Sequence, residues 1–320
     1  MYKVLVIGAV TTTKHTLNQL VKHGFDVVGV LGFEPKDYSL VSGWVDLRSL
    51  SADLEIEFKG YQKINDSENI AWANARQPDI IFAVGFSQLI SNEWLDMPKL
   101  GCIGFHPTKL PKGRGRAPMA WLTLEVQEGA ACFFLMGEGA DDGPIFVQQE
   151  FKINQRDDAG TVEVKIEIAI NQALEKWLPQ LRKGAWNPVP QNELEATWYG
   201  VRKPEDGRID WHKSAVEIDR LIKASSTPHP GAYTYFKDEI LTIWKSEVEK
   251  VIPIKGVVGR ILLKDELKGY LVQCGEGIIW INEIEFETDL PLRIGDKLGY
   301  NVEDELFQIK KQLRKLLNEK

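Results

Sequence analysis

A chain of 320 residues, 43% hydrophobic and 27% charged, has the make-up of an ordinary globular protein and is long enough for two domains. Its net charge of −7 argues against a partner held by bulk positive charge, such as nucleic acid. Three scattered cysteines, Cys102, Cys132 and Cys274, form no CxxC, so neither a disulfide framework nor a zinc site is expected.

The apolar run in MYKVLVIGAV is far too short to span a bilayer and no small-residue cleavage site follows it, so the reading is a first strand in a cytoplasmic protein. Lys3 to Ile7 reads as a buried strand ended by Gly8, Thr16 to His23 as a helix, and Val27 to Leu31 as a second strand. This β-α-β opening makes the two strands parallel neighbours. The turn after Gly8 lacks the later glycines of a dinucleotide fingerprint, which sets aside an NAD-type reading. Its threonines, Thr12 and Thr13 among them, cap the following helix or meet a ligand.

Residues 33 to 60 read as a loop-rich excursion. Ser67 to Arg76 is helical, Asp79 to Val84 is a strand, and Ser91 caps a short helix through Leu95. Gly101 to His106 is the next strand, Ala117 to Val126 a helix, Ala131 to Met136 a strand, and Ile145 to Phe151 an outer strand. From Thr161 to Leu181, Val162, Ile166, Ala169, Ile170, Ala173, Leu174, Trp177 and Leu181 recur at helical spacing, predicting a long helix laid on the sheet. The polar, proline-containing stretch from Asn187 marks a boundary. Short strands with turn glycines between Gly256 and Ile309 predict a small β-domain, and Glu305 to Lys320 a solvated terminal helix. The expected organisation is an α/β, Rossmann-like, mostly parallel sheet over 1–186, a linker and helical segment over 187–250, and a small β-rich domain over 251–320.

Chemistry concentrates in Gly101 to Pro118, GCIGFHPTKLPKGRGRAP. An apolar strand delivers His106 to a loop carrying Lys109, Lys112, Arg114 and Arg116, and chemistry in open α/β sheets collects beyond strand C-termini. A second turn, GEGADDG, carries Asp141 and Asp142. If the strands before His106 and Asp141 lie in one parallel sheet, both side chains face one crevice, and a carboxylate on an imidazole makes a base poised near neutrality. No GxSxG elbow accompanies them, which disfavours covalent catalysis. One His and one Asp without a third ligand do not make a metal site, and His212 and His229 read as structural or solvated.

These motifs, FHPTKLPKGRGRAPMAW followed by GADDGPI, resemble the site of the formyltransferases that use N10-formyltetrahydrofolate. Gly85 and the segment Phe86, Ser87, Gln88, Leu89 and Ile90 resemble the family's pterin-binding stretch, GRIDW through PGAY its linker, and the tail its C-terminal β-domain. The resemblance implies formyl transfer to an amine, with His106 in the place of the catalytic histidine, Asp141 in that of the aspartate, and Asp142 beside the folate; no metal is implied. It departs at Gly104, where the family has a catalytic Asn; a backbone N–H, the Gln88 amide or a bound water is expected to substitute. Pro144, where the family usually has Asp or Ala, is a lesser departure.

The GRGRAP loop is closer to the sugar N-formyltransferases, so the implied acceptor is a nucleotide-linked amino sugar of the kind used in polysaccharide biosynthesis. Thr12, Thr13, Thr108, Lys112, Arg114 and Arg116 are the candidate contacts to it, the arginines through bidentate forks to a diphosphate. Methionyl-tRNA is the alternative acceptor, though nucleic acid fits the charge poorly; a folate-binding protein with impaired turnover is the third reading. A homodimer and the absence of a membrane partner are also expected.

Overall fold

The computed structural model describes residues 1–38, 41–85, 87–286, 291–300 and 302–318. The chain packs as two compact units, Met1–Arg202 and Lys203–Lys320.

The first unit runs β1 (Lys3–Gly8), α1 (Thr11–Lys22), β2 (Asp26–Phe33), α2 (Leu47–Asp53), β3 (Phe58–Tyr61), α3 (Ser67–Asn74), β4 (Ile80–Ala83), α4 (Asn92–Asp96) and β5 (Gly101–Thr108). It continues with β6 (Arg114–Gly115), α5 (Pro118–Glu125), β7 (Gly129–Leu135), β8 (Ile145–Phe151), α6 (Ala159–Arg182) and β9 (Trp198–Tyr199). Seven strands form one sheet in the order β3-β2-β1-β4-β5-β7-β8. The pairs from β3 to β5 are parallel, and those from β5 to β8 antiparallel. Strand β4, and β1 after the exposed Lys3, are apolar because both of their faces are covered. One face carries α6, whose predicted stripe packs with Phe82 and Phe133; the other carries α3 and α4 around Ile64 and Trp94. Asp158 caps α6 by accepting from the Thr161 N–H at 2.8 Å.

Three features place the site. The chain leaves β1 toward β2 and β3 and returns to β4 on the other side of β1, so the sheet's topological switch point lies between β1 and β4. Ala83, the end of β4, pairs with Gly104, so β5 projects beyond its neighbour by Phe105, His106, Pro107 and Thr108. Finally, β7 runs back along β5, His106 opposite Cys132 and Gly104 opposite Phe134.

Several expectations need correction. The excursion at 33–60 contains α2 and β3, the edge strand of the sheet. Helix α1 begins at Thr11, five residues before the predicted start, so Thr12 and Thr13 lie in its first turn and Val10 is the N-cap. The strand before Asp141 is antiparallel to β5, and β5 runs two residues past His106, to Thr108. The stretch expected as linker is divided: 187–202 belongs to the first unit, where β9 pairs with β6.

The second unit contains α7 (Ala215–Ser225), β10 (Ala232–Phe236), β11 (Glu239–Ile243), β12 (Ser246–Glu249), β13 (Ile261–Asp265), β14 (Gly269–Gln273), β15 (Ile278–Ile281), β16 (Ile284–Phe286) and α8 (Val302–Asn318). Ser214 and Glu217 cap α7 reciprocally. Two antiparallel sheets, β10-β11-β16 and β12-β15-β14-β13, close on a core that includes Trp211, Ile218, Ile222, Leu241 and Ile279. The β structure therefore starts at Ala232, ahead of the sequence-predicted strands.

Candidate active site

His106 is 5% exposed. Its Nε2 lies 2.8 Å from the Gly113 carbonyl oxygen, which can only accept, so Nε2 carries a proton. That bond leaves Nδ1 as the basic nitrogen, 3.4 Å from Asp141 Oδ2. Burial pulls the imidazole's pKa below its ordinary value, against the Asp141 charge and the Gly113 bond, which both raise it. The resting ring is therefore neutral and able to take a proton at Nδ1, where Asp141 meets the cation.

Asp141 is held at both its ends. Its Oδ2 accepts from the Gly115 N–H at 2.9 Å, and its φ of +56° is the left-handed conformation, a strained one for a non-glycine residue. Gln191 stabilises that turn by donating from Nε2 to the carbonyls of Asp141 (2.8 Å) and Gly143 (2.7 Å). The turn's base is closed by Leu135 N–H donating to the Pro144 carbonyl at 2.9 Å.

Arg114 does not reach outward. It is 2% exposed, donates twice to Gln191 Oε1 (2.9 and 3.2 Å) and holds both oxygens of Glu193 (2.7 and 2.9 Å). The expected diphosphate fork is a structural clamp: Arg114 orients Gln191, and Gln191 orients Asp141. Lys109 is paired with Glu150 at 2.8 Å and Glu128 at 3.7 Å. Lys112 and Arg116 are exposed. Sequence reasoning missed Gln191, Glu193 and the Gly113 carbonyl, since a polar stretch 50 residues after Asp141 reads as linker and a backbone oxygen leaves no trace in residue type.

At Gly104, a Cβ would lie 2.7 Å from Phe134 Cζ and 2.9 Å from Met136 Cγ. The volume an Asn side chain needs is already filled by an aromatic ring. The Gln88 amide is anchored, its Nε2 donating one hydrogen bond to the Gln62 carbonyl (2.7 Å) and its Oε1 accepting from the Ile64 N–H (2.9 Å). That pair of bonds fastens the segment after β4 to the β3–α3 connection. Leu89 in that segment is 85% exposed, Ser87 is exposed, and Ile90 packs at the margin of the α3–α4 core. Phe86 lies outside the described residues. Asp142 is exposed beside Asp141.

Thr13 is buried at the switch point. Its hydroxyl accepts from the N–H groups of Ala9 (3.1 Å) and Val10 (3.3 Å) and donates to the Val84 carbonyl (2.6 Å), locking the first turn of α1 to the end of β4. The capping reading holds for Thr13, with the side chain acting from inside the helix. The Thr12 Oγ1 atom is buried with no partner, and a Cβ on Gly85 (φ +68°) would lie 2.4 Å from it. Thr108 Oγ1 is also buried without a partner. It lines a cavity of about 480 Å³ together with Lys109, Lys112, Gln127, Gln148 and Tyr199. Among the described residues no group of three or more His, Cys, Asp or Glu could hold a metal ion.

Residues 2–178 match the family described as formyl transferase, and residues 202–298 the formyl transferase C-terminal domain. The methionyl-tRNA formyltransferase of Caldanaerobacter subterraneus subsp. tengcongensis is 28% identical over 305 residues, 94% of this chain and 97% of that protein. Among solved structures, WlaRD, a sugar 3N-formyl transferase crystallised with dTDP and 5-N-formyl-THF, has a TM-score of 0.63 at 18% identity, over 91% of this chain and 99% of its own. HypX from Aquifex aeolicus has a TM-score of 0.61 at 18% identity over 88% of this chain, which spans 45% of the HypX chain. With the family matched over more than half its length and a buried imidazole–carboxylate pair where that family's motifs fall, the chain belongs to the formyltransferases and is an N-formyltransferase enzyme.

Proposed function

We propose that the chain transfers a formyl group from N10-formyltetrahydrofolate to the amine of a nucleotide-linked amino sugar, releasing a formamido sugar and tetrahydrofolate. This reading assigns the donor to the C-terminal ends of β1 and β4, where the unpartnered Thr12 hydroxyl and the exposed Leu89 would offer a polar contact and an apolar face to a flat heterocycle. When bound, the donor supplies the formyl carbon. The chain's own residues handle the proton. As the acceptor nitrogen attacks the formyl carbon, its proton passes to His106 Nδ1, Asp141 stabilises the resulting imidazolium, and the proton is handed to N10 of the folate as the bond between that nitrogen and the formyl carbon breaks. The Gly113 carbonyl and Asp141, one at each ring nitrogen, keep that imidazolium from rotating away.

One observation carries the acceptor assignment. Of the four cations in the loop after His106, Arg114 is consumed internally and Lys109 is ion-paired, leaving Lys112 and Arg116 exposed. Two cations match a diphosphate; an acceptor stem needs many more phosphate contacts. Trp198, 63% exposed on β9 beside this loop, offers a face for a nucleobase, and the unpartnered Thr108 hydroxyl suits a sugar hydroxyl. Methionyl-tRNA is the second reading, favoured by the full-length relative with that activity. The purified chain is to be given the formyl donor with dTDP-, UDP- and GDP-linked amino sugars and, separately, charged initiator methionyl-tRNA. Formamide on a nucleotide sugar supports the assignment, and formylation of the tRNA alone replaces it. Folate binding without product from any acceptor points to the third, turnover-impaired reading.

A further inference from the structure

Two backbone groups hold the imidazole–carboxylate pair: the Gly113 carbonyl at His106 Nε2 and the Gly115 N–H at Asp141 Oδ2. Both belong to the loop after β5, so whatever fixes that loop fixes the pair. The loop needs glycine at both positions. Gly113 has φ +73°, and a Cβ there would lie 2.7 Å from Tyr199 Cε2; Gly115 has φ +103°, and a Cβ there would lie 2.5 Å from the Tyr199 carbonyl oxygen. Glycine loses more freedom on folding than any other residue, so a loop of this composition takes its shape from a partner.

The partner is the stretch around β9, and Thr197 grips Gly113 from both sides. Its hydroxyl accepts from the Gly113 N–H at 2.9 Å, and its carbonyl accepts from the Arg114 N–H at 2.9 Å. The Arg114 N–H and the Gly113 carbonyl are the two ends of one planar peptide unit, so fixing the first aims the second. Aimed in this way, the carbonyl meets His106 Nε2. The Thr197 N–H donates in turn to the Pro111 carbonyl at 3.2 Å, and the Arg116 N–H to the Tyr199 carbonyl at 3.1 Å. Among these bonds the hydroxyl's depends on residue type, and the rest are backbone pairing that any side chain permits. Thr197 is itself exposed, so its hydroxyl can be removed without opening a core.

We infer that Thr197 is a positioning residue for formyl transfer, acting through Gly113 to keep the His106 ring in the tautomer whose Nδ1 takes the proton. This rests on the reading of His106 as the base and not on which acceptor is formylated.

The test compares Thr197→Val, which nearly keeps the shape and removes the acceptor, with Thr197→Ser, which keeps the hydroxyl. Rates are taken per folded molecule, counted by folate binding, so that a loss of stability does not register. Thr197→Val is expected to lower kcat about tenfold with KM for the formyl donor nearly unchanged, and Thr197→Ser to recover most of that loss. Nitrogen-15 NMR of the His106 ring reads the tautomer without any turnover. The wild type and the serine variant are expected to carry the proton on Nε2 alone, and the valine variant to place a share of it on Nδ1. If His106→Ala turns over at the wild-type rate, the base assignment fails by itself, while the ring spectrum still reports on Thr197. A folded valine variant with wild-type kcat, a loss confined to KM, equal losses in the valine and serine variants, or an unchanged ring spectrum beside a fallen kcat each overturns the inference. Thr197→Ala replaces the valine variant if that one does not fold, and failure of both to fold makes Thr197 a stability residue and overturns the inference as well.

Discussion

The His106 Nε2–H donates a hydrogen bond to the Gly113 carbonyl at 2.8 Å, and this single bond fixes which nitrogen does the chemistry. Because burial lowers the imidazole's pKa, its folded value lies below the unfolded value of about 6.5. Above pH 6.5 the ring is neutral in both states. As pH falls from 6.5 toward the folded pKa, the unfolded chain takes a proton the folded chain refuses, so stability falls across that window. The acid limb of kcat/KM is accordingly expected below pH 6.5. An NMR titration of the His106 ring checks this, and a midpoint at or above 6.5 means that Asp141 outweighs burial.

Gly104 and Phe134 make a steric prediction. Restoring the family residue by Gly104→Asn is expected to cost about 1–3 kcal/mol of stability through overpacking against the Phe134 ring and to give no gain in turnover. Pairing it with Phe134→Ala opens the space and is expected to recover activity relative to Phe134→Ala alone. Chemical denaturation and steady-state kinetics on the three variants separate the two effects. A stable, faster Gly104→Asn single variant contradicts the packing described.

Gln191 is a positioning residue, acting on Asp141 through the backbone of a strained turn. Gln191→Leu is expected to lower kcat about tenfold, the scale set by roughly 1.4 kcal/mol in the barrier, with KM for the formyl donor nearly unchanged. A loss confined to KM assigns Gln191 to binding instead.

The loop cations divide into two classes. Arg116→Ala and Lys112→Ala are expected to raise KM for a diphosphate-linked acceptor while leaving the melting temperature in place. Arg114→Ala is expected to lower the melting temperature and kcat together, because it leaves Gln191 and Glu193 unheld. Thermal unfolding beside kinetics distinguishes them, and the reverse pattern refutes the clamp.

The three thiols are buried and their pKa values are pushed up to about 12 by burial. Modification by a disulfide reagent is expected only on unfolding. Rapid labelling of the native protein contradicts the burial.

Much of this was legible in the sequence because it rests on patterns that residue type records. The stripe of α6, the apolar β1 and β4, and the motif that places His106 and Asp141 are of that kind. What stayed hidden depends on direction and on backbone atoms. Strand β7 carries the same apolar run whether parallel or antiparallel to β5, so its sense could not be read. The 187–202 stretch has linker composition, yet Gln191 holds the catalytic turn and β9 pairs with β6. Arg114 reads as an anion ligand from its loop, and only the fold shows that a carboxylate of the same chain already occupies it.

The most direct measurement is formamide formation by the His106→Ala variant, followed by mass spectrometry in a single turnover with donor and amino-sugar acceptor. Circular dichroism and folate binding are monitored on the same sample. The account predicts an intact fold, retained folate binding and product formation reduced at least 10³-fold, within the range for a general base that also stabilises charge. Wild-type rates from the folded variant would contradict it.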